Sequence, residues 1–159
     1  MEQPAGNKIT GNPSSHPALS VKWVEDFPDI PLNRNEAYKL RVTSKGVEIE
    51  AITETGVYRA IQTLRQLTEK KGNGIAITGC EITDWPAFRI RGFMQDVGRT
   101  YISTDELKRE IAILARYKIN VFHWHLTENQ AWRLQSKVFP MLNDSVNTTR
   151  QPGKYYTLE

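Results

Sequence analysis

Five residues near the middle of the chain have the types and spacing to act together. Asp96, Arg99, His123, His125 and Glu128 lie within RIRGFMQDVGRTYISTDELKREIAILARYKINVFHWHLTENQAWR, residues 89–133. A guanidinium presents a rigid fork of donors that serves two oxygens at once. Two histidines separated by one residue share a strand face, as they do where some metal-dependent hydrolases of barrel fold begin a metal site. Each residue also has a plainer reading. Arg99 is then a solvated arginine after a strand, Glu128 a loop acid, His123 and His125 hydrogen-bonded structural imidazoles. Asp96 either orders Arg99 or His125 or satisfies backbone. Trp124 and Trp132 flank the loop, where an indole could stack on a sugar, although buried packing is the commoner fate. The remaining histidine is His16, too remote in sequence to make a three-histidine zinc site expected.

The elements that must position these groups read as follows. Ile90 to Val97 is a strand, and Ser103 followed by Glu106 fits a capping box, in which each side chain satisfies an orphan N–H of the first turn. Leu107, Ile111, Leu114 and Tyr117 then recur at helical spacing. Lys118 ends the helix, and Ile119 to His125 forms the next strand. So tight a crossover joins parallel neighbours, and ligands bind at the carboxyl ends of parallel strands.

Upstream, residues 1–19 are rich in Gly, Pro, Ser and Asn and are expected to be a loose lead-in. Ser20 to Glu25 is a strand. Tyr38, Leu40 and Val42, then Val47, Ile49 and Ala51, alternate with polar residues as a hairpin. A two-residue turn at Lys45-Gly46 would pair Val42 with Ile49 and Leu40 with Ala51. Residues 55–70 form a helix with the stripe Val57, Ile61, Leu64, Leu67, leaving Arg59, Arg65 and Lys70 outside, and Gly72-Asn73-Gly74 stops it. Ile75 to Ile82 is extended again. The boundary falls at Asp84-Trp85-Pro86, giving units over 20–85 and 86–159.

Composition narrows the function classes. Apolar residues make up 39% and charged residues 25% of the 159, ordinary values for a globular chain. The net charge of +3 is small and its basic residues are scattered, so no nucleic-acid surface is expected. Cys80 is the sole cysteine, and no apolar run approaches the ~20 residues that span a bilayer. The start shows no basic segment followed by an apolar one, so no signal peptide is expected.

RGFMQDVGR followed by YKINVFHWHLTENQAWR resembles the opening of the catalytic barrel in family 20 glycoside hydrolases, the β-N-acetylhexosaminidases. The part before it, including the helix ETGVYRAIQTLRQL, resembles the small domain that precedes that barrel. The resemblance implies an α+β unit, an antiparallel sheet with a covering helix, followed by a partial (β/α) TIM-barrel start. It implies an exo-glycosidase acting on terminal β-linked N-acetylglucosamine or N-acetylgalactosamine, with no cofactor and no metal. Its retaining mechanism is substrate-assisted, the sugar's acetamido oxygen attacking the anomeric carbon. Arg99 matches the arginine that grips hydroxyls of the terminal ring. Asp96, His125, Glu128 and Trp132 match the supporting network. Glu128 stands where the family usually has Asp, Asn129 where a second Asp is common, and Gly98 and Thr100 where Ser and His are more usual.

The family's catalytic Asp-Glu pair follows a later strand, and no such dipeptide follows the second strand here. A full barrel takes about 250 residues, against the 74 from Pro86 to Glu159. The expectation is a chain that carries part of the sugar grip, lacks the catalytic acid, shows no turnover alone and associates with itself through uncovered strand edges. A substrate outside the cell is typical of such enzymes, so the whole protein is expected to be periplasmic or extracellular. Two other readings stand beside this one: a metal-dependent hydrolase built on His123 and His125, and a non-catalytic carbohydrate-binding module.

Overall fold

A computed structural model describes Lys8–Thr10 and residues 18–158. His16 and most of the expected lead-in lie outside the described residues. The chain divides into two compact units, Met1–Arg89 and Ile90–Glu159.

In the first unit, β1 (Lys8–Thr10) already departs from the expectation of a loose lead-in, because it pairs antiparallel with residues 76–78. β2 (Ala18–Trp23), β3 (Tyr38–Thr43) and β4 (Gly46–Ala51) precede α1 (Glu54–Leu67), which is followed by β5 (Thr68–Lys71), β6 (Gly74–Thr78) and β7 (Cys80–Asp84). The main sheet has the order β2-β4-β3-β7. It is mixed and not antiparallel throughout: β2 runs parallel to β4, while β3 is antiparallel to both its neighbours. Tyr38, Leu40 and Val42 of β3 and Val47, Ile49 and Ala51 of β4 face inward. They form one buried cluster with Ala60 of α1, and Val57, Ile61, Leu64 and Leu67 pack against it. Full burial of a residue such as Ile49 contributes about 1.5–3 kcal/mol.

Three expectations need correction here. The hairpin pairs Val42 with Val47 and Leu40 with Ile49, two residues away from the expected register. Its turn residues are Ser44 and Lys45, because the Thr43 hydroxyl accepts from Lys45 N and donates to Gly46 O, closing the turn one residue early. The slip is even, so every side chain keeps its face. Second, the helix ends at Leu67, where the Thr68 hydroxyl donates to Leu64 O. The polar segment Thr68–Lys71 is drawn into a strand by β6, and Gly72-Asn73 is the turn between the two strands. Third, Arg59 is buried, with Nε and Nη2 each 2.9 Å from Glu36 Oε2.

The second unit has β8 (Gly92–Asp96), α2 (Thr104–Arg116), β9 (Val121–His125) and a short antiparallel pair, β10 (Thr127–Glu128) with β11 (Ala131–Trp132). β8 and β9 are parallel neighbours. Both are shorter than expected, each beginning two residues later than the sequence pattern suggested. Ser103 caps α2 in a full capping box with Glu106. At the other end Lys118 adopts φ 60°. Ile119 N then donates to Leu114 O and Lys118 N to Ala115 O, the paired closing bonds of a helix C-terminus. Val97, Leu107 and Tyr156 form the core. Of the expected apolar stripe on α2 only Leu107 is buried, and Ile111 and Tyr117 are 46% and 74% exposed. A two-stranded sheet offers too little surface to cover the whole face.

Candidate active site

The β8–β9 register sets Asp96 directly opposite His125, and Val97 N donates to His125 O at 3.0 Å. The strand ends are therefore locked side by side, and the chain following each supplies one further group. After β8, Arg99 folds back over Asp96. Its backbone N–H donates to Asp96 Oδ1 at 3.1 Å, and its Nε lies 3.3 Å from Oδ2. After β9, Glu128 reaches across, with Oε1 3.2 Å from Arg99 Nη2. Glu128 Oε2 accepts from Asn129 N at 3.2 Å, which fixes the carboxylate plane. One guanidinium is thus held between two carboxylates while its side chain stays 60% exposed. The cluster joins a guanidinium's donors to two carboxylates' acceptors, and sugar hydroxyls can pair with either kind.

His125 borders this cluster. Its Nε2 lies 2.8 Å from Thr127 O and 4.0 Å from Glu128 Oε1. A carbonyl can only accept, so Nε2 carries the proton. His123 is exposed and stacks on His125 with ring centroids 5.8 Å apart. Among the described residues, Asp96, His125 and Glu128 bring possible ligand atoms within 4.8 Å of one another, and His123 is not among them. The fit to a metal is poor. The His125 nitrogen nearest Glu128 is the protonated one, and Arg99 already supplies the positive charge between the carboxylates.

The two tryptophans part company. Trp124 packs edge-on against Tyr156, ring centroids 4.6 Å apart, within the core of the unit. Trp132 pairs across from Thr127 and is partly exposed at the rim of the same loop.

From sequence, Arg133 had no role assigned and Gly98 stood only as a departure from the family pattern. Arg133 is fully buried and donates only to main-chain carbonyls: Val97, Gly98, Arg150, Gln151 and Lys154. Burial pulls its pKa down, although a guanidinium stays charged regardless. In sequence Arg133 appears only as the end of YKINVFHWHLTENQAWR, with no role attached. Gly98 faces Glu128 so closely that a Cβ there would lie 2.8 Å from Glu128 Cβ.

Comparison with known proteins gives this geometry a context. Residues 4–85 match the family model for glycosyl hydrolase family 20, domain 2, and residues 88–159 match that for the family 20 catalytic domain. The chain belongs to glycosyl hydrolase family 20. It is 42% identical over 159 residues to a beta-hexosaminidase of Porphyromonas gingivalis, covering 96% of this chain and 18% of that protein. It resembles the crystal structure of a β-N-acetylhexosaminidase from Bacteroides fragilis with a TM-score of 0.75 and 33% identity, over 87% of this chain and 28% of that one. An exo β-N-acetylglucosaminidase from Vibrio harveyi, solved in complex with N-acetylglucosamine, gives a TM-score of 0.71 and 32% identity, over 87% and 23%. The family 20 chain described here therefore spans less than a third of the length of these relatives. Among its described residues no helix is long and apolar enough to cross a membrane.

Proposed function

We propose that this chain carries the terminal-sugar grip of a β-N-acetylhexosaminidase, with Arg99 donating to ring hydroxyls remote from the scissile bond. The observation that carries the reading is the Arg99 guanidinium fixed between Asp96 and Glu128 at the carboxyl ends of two parallel strands. In that reading β8-α2-β9 opens a β/α barrel, and the exposed apolar face of α2 meets elements of the whole protein or a second copy. Asp96 and Glu128 hold the fork and accept from neighbouring hydroxyls, while Trp132 closes the rim. His125, with Nε2 committed to Thr127, braces Glu128.

The chemistry would be substrate-assisted hydrolysis. The acetamido oxygen attacks the anomeric carbon as a carboxylic acid protonates the departing glycosidic oxygen, and water then opens the cyclic intermediate with retention. The one Asp-Glu dipeptide of this sequence, Asp105-Glu106, does not suit that task. Glu106 Oε2 accepts from Ser103 N at 3.1 Å and from Ser103 Oγ at 2.7 Å, occupied as a helix cap. The acid and the acetamide-orienting Asp are therefore assigned to a part of the protein outside these 159 residues. The terminal residue bound would be β-linked N-acetylglucosamine or N-acetylgalactosamine.

Titration of the full chain with N-acetylglucosamine, followed by the NMR signal of the Arg99 Nε–H, tests this. The expected result is a saturable shift, with the Kd for the sugar raised about tenfold or more in R99A. A chain whose Arg99 signal ignores the sugar, or an R99A variant that binds equally well, would refute the assignment.

A further inference from the structure

Arg99 stands on an irregular loop between β8 and α2, yet its main chain is fixed from two sides. Behind it lies Arg133. A guanidinium has five N–H donors, and here every one has its own acceptor. Nε donates to Val97 O at 2.9 Å, Nη2 to Gly98 O at 3.2 Å and Arg150 O at 2.8 Å, and Nη1 to Gln151 O at 3.1 Å and Lys154 O at 2.8 Å. All five acceptors are backbone dipoles, so a buried cation is satisfied without a counter-ion. Two of them belong to the residues immediately before Arg99. The other three belong to a later loop that itself returns to this region, since Gln151 Oε1 accepts from Tyr101 N.

The opposite side of the loop is set by an absence. At Gly98 an added Cβ would meet Glu128 Cβ at 2.8 Å, Glu128 N at 3.1 Å and Glu128 Cγ at 3.2 Å. The stem of Glu128 thus lies directly on the bare Cα of residue 98, and that seat brings Oε1 to Arg99 Nη2.

We infer that Arg133 and Gly98 are positioning residues for Arg99. Arg133 holds the loop from behind through the carbonyls of Val97 and Gly98, and Gly98 admits Glu128 from the front. A long, largely exposed arginine loses considerable side-chain freedom when it binds, so a grip of this kind works only where supporting residues lock it beforehand. Arg133 and Gly98 supply the lock, and neither touches the sugar.

This inference rests on the sugar-grip reading, and the experiment separates the two. In the isotopically labelled full chain, solvent exchange of the Arg99 Nε–H and the Kd for N-acetylglucosamine are measured in R133K, G98A and R133K/R99A. Lysine keeps the charge but has three donors, so it cannot hold five carbonyls. R133K and G98A are each expected to speed Arg99 exchange and to raise the Kd by about tenfold or more. In the R99A background R133K should add no further loss, whereas a general weakening of the fold would add its own. A folded R133K with Arg99 exchange and Kd within about twofold of the unchanged chain would overturn the inference. Should R133K not fold, G98A decides by the same two measurements. Faster Arg99 exchange in the variants of a chain that binds no sugar would uphold the positioning and refute the grip.

Discussion

Replacing Gly56 by Ala sets two effects against each other, and the structure decides between them. Gly56 is in the first turn of α1, where Ala is the better helix former by at most about 1 kcal/mol. Its missing Cβ, however, would lie 2.5 Å from Ala37 O and 3.1 Å from Ala51 Cβ. Ordinary contact begins at 3.4 Å, so the helix must lift by about 0.9 Å, and a backbone carbonyl cannot swing aside as a side-chain tip does. A gap of that order forfeits about a quarter to a half of the dispersion attraction across it. Val57, Ala60, Ile61 and Leu64 all pack on the sheet from this helix and would feel it. Overpacking of this kind costs about 1–3 kcal/mol, so after the helix gain of at most about 1 kcal/mol the net is a loss of about 1–2 kcal/mol. With a urea slope of about 2 kcal/mol/M, the midpoint should fall by about 0.5–1 M. Urea unfolding followed by the amide signals of Ile49 and Ala60 reports the first unit alone. An unchanged or raised midpoint would refute the close approach of α1 to the Ala37 carbonyl.

Three further outcomes follow from the same geometry. Ile49→Ala, at a fully buried site opposite Leu40, should cost about 2–5 kcal/mol of the first unit's stability in urea unfolding; a loss under about 1 kcal/mol would mean that the site is not core. Ser103→Ala should destabilise α2 by about 1 kcal/mol. The Ser103 hydroxyl, then its backbone N–H, hold the Glu106 carboxyl below its ordinary value. The folded value being the lower, that contribution is complete above the ordinary carboxylate range and is lost as pH falls through the folded value. The gap between S103A and the unchanged chain should therefore narrow on acidification, and a constant gap would contradict the capping box. Burial pushes the Cys80 thiol up, so alkylation at neutral pH should be slower than that of a free thiol and should climb as pH rises; a rate equal to a free thiol's would place Cys80 outside the sheet interior.

The elements readable in the sequence are those whose burial has a period. Tyr38–Ala51 alternates because one face lies under α1, α1 shows its stripe for the same reason, and the Ser103–Glu106 cap is local chemistry that needs no partner. What escaped depends on distant segments. No local pattern announces that β2 runs parallel to β4. Thr68–Lys71 is exposed along its whole length, so it has no apolar rhythm and is a strand only because β6 pairs with it. The hairpin register slipped by two because an even slip preserves the faces, and the hydroxyl of Thr43 settled what burial could not. At the site, the convergence of Asp96, Arg99 and Glu128 follows from parallel strands ending together. Arg133 could not be found that way, since its acceptors at 97–98 and 150–154 are far from it in sequence. Gly98 was noticed only as a departure from the family pattern, while its meaning lies in the Glu128 stem it admits.

The most direct test of the grip removes one hydroxyl from the sugar and the guanidinium from the protein, separately and together. Binding of N-acetylglucosamine is compared with that of its 3-deoxy and 4-deoxy analogues, in the unchanged chain and in R99A. If Arg99 holds the ring far from the scissile bond, losing the contacted hydroxyl weakens binding to the unchanged chain and costs R99A nothing more. Equal losses in both proteins for both analogues would mean that Arg99 does not touch the sugar.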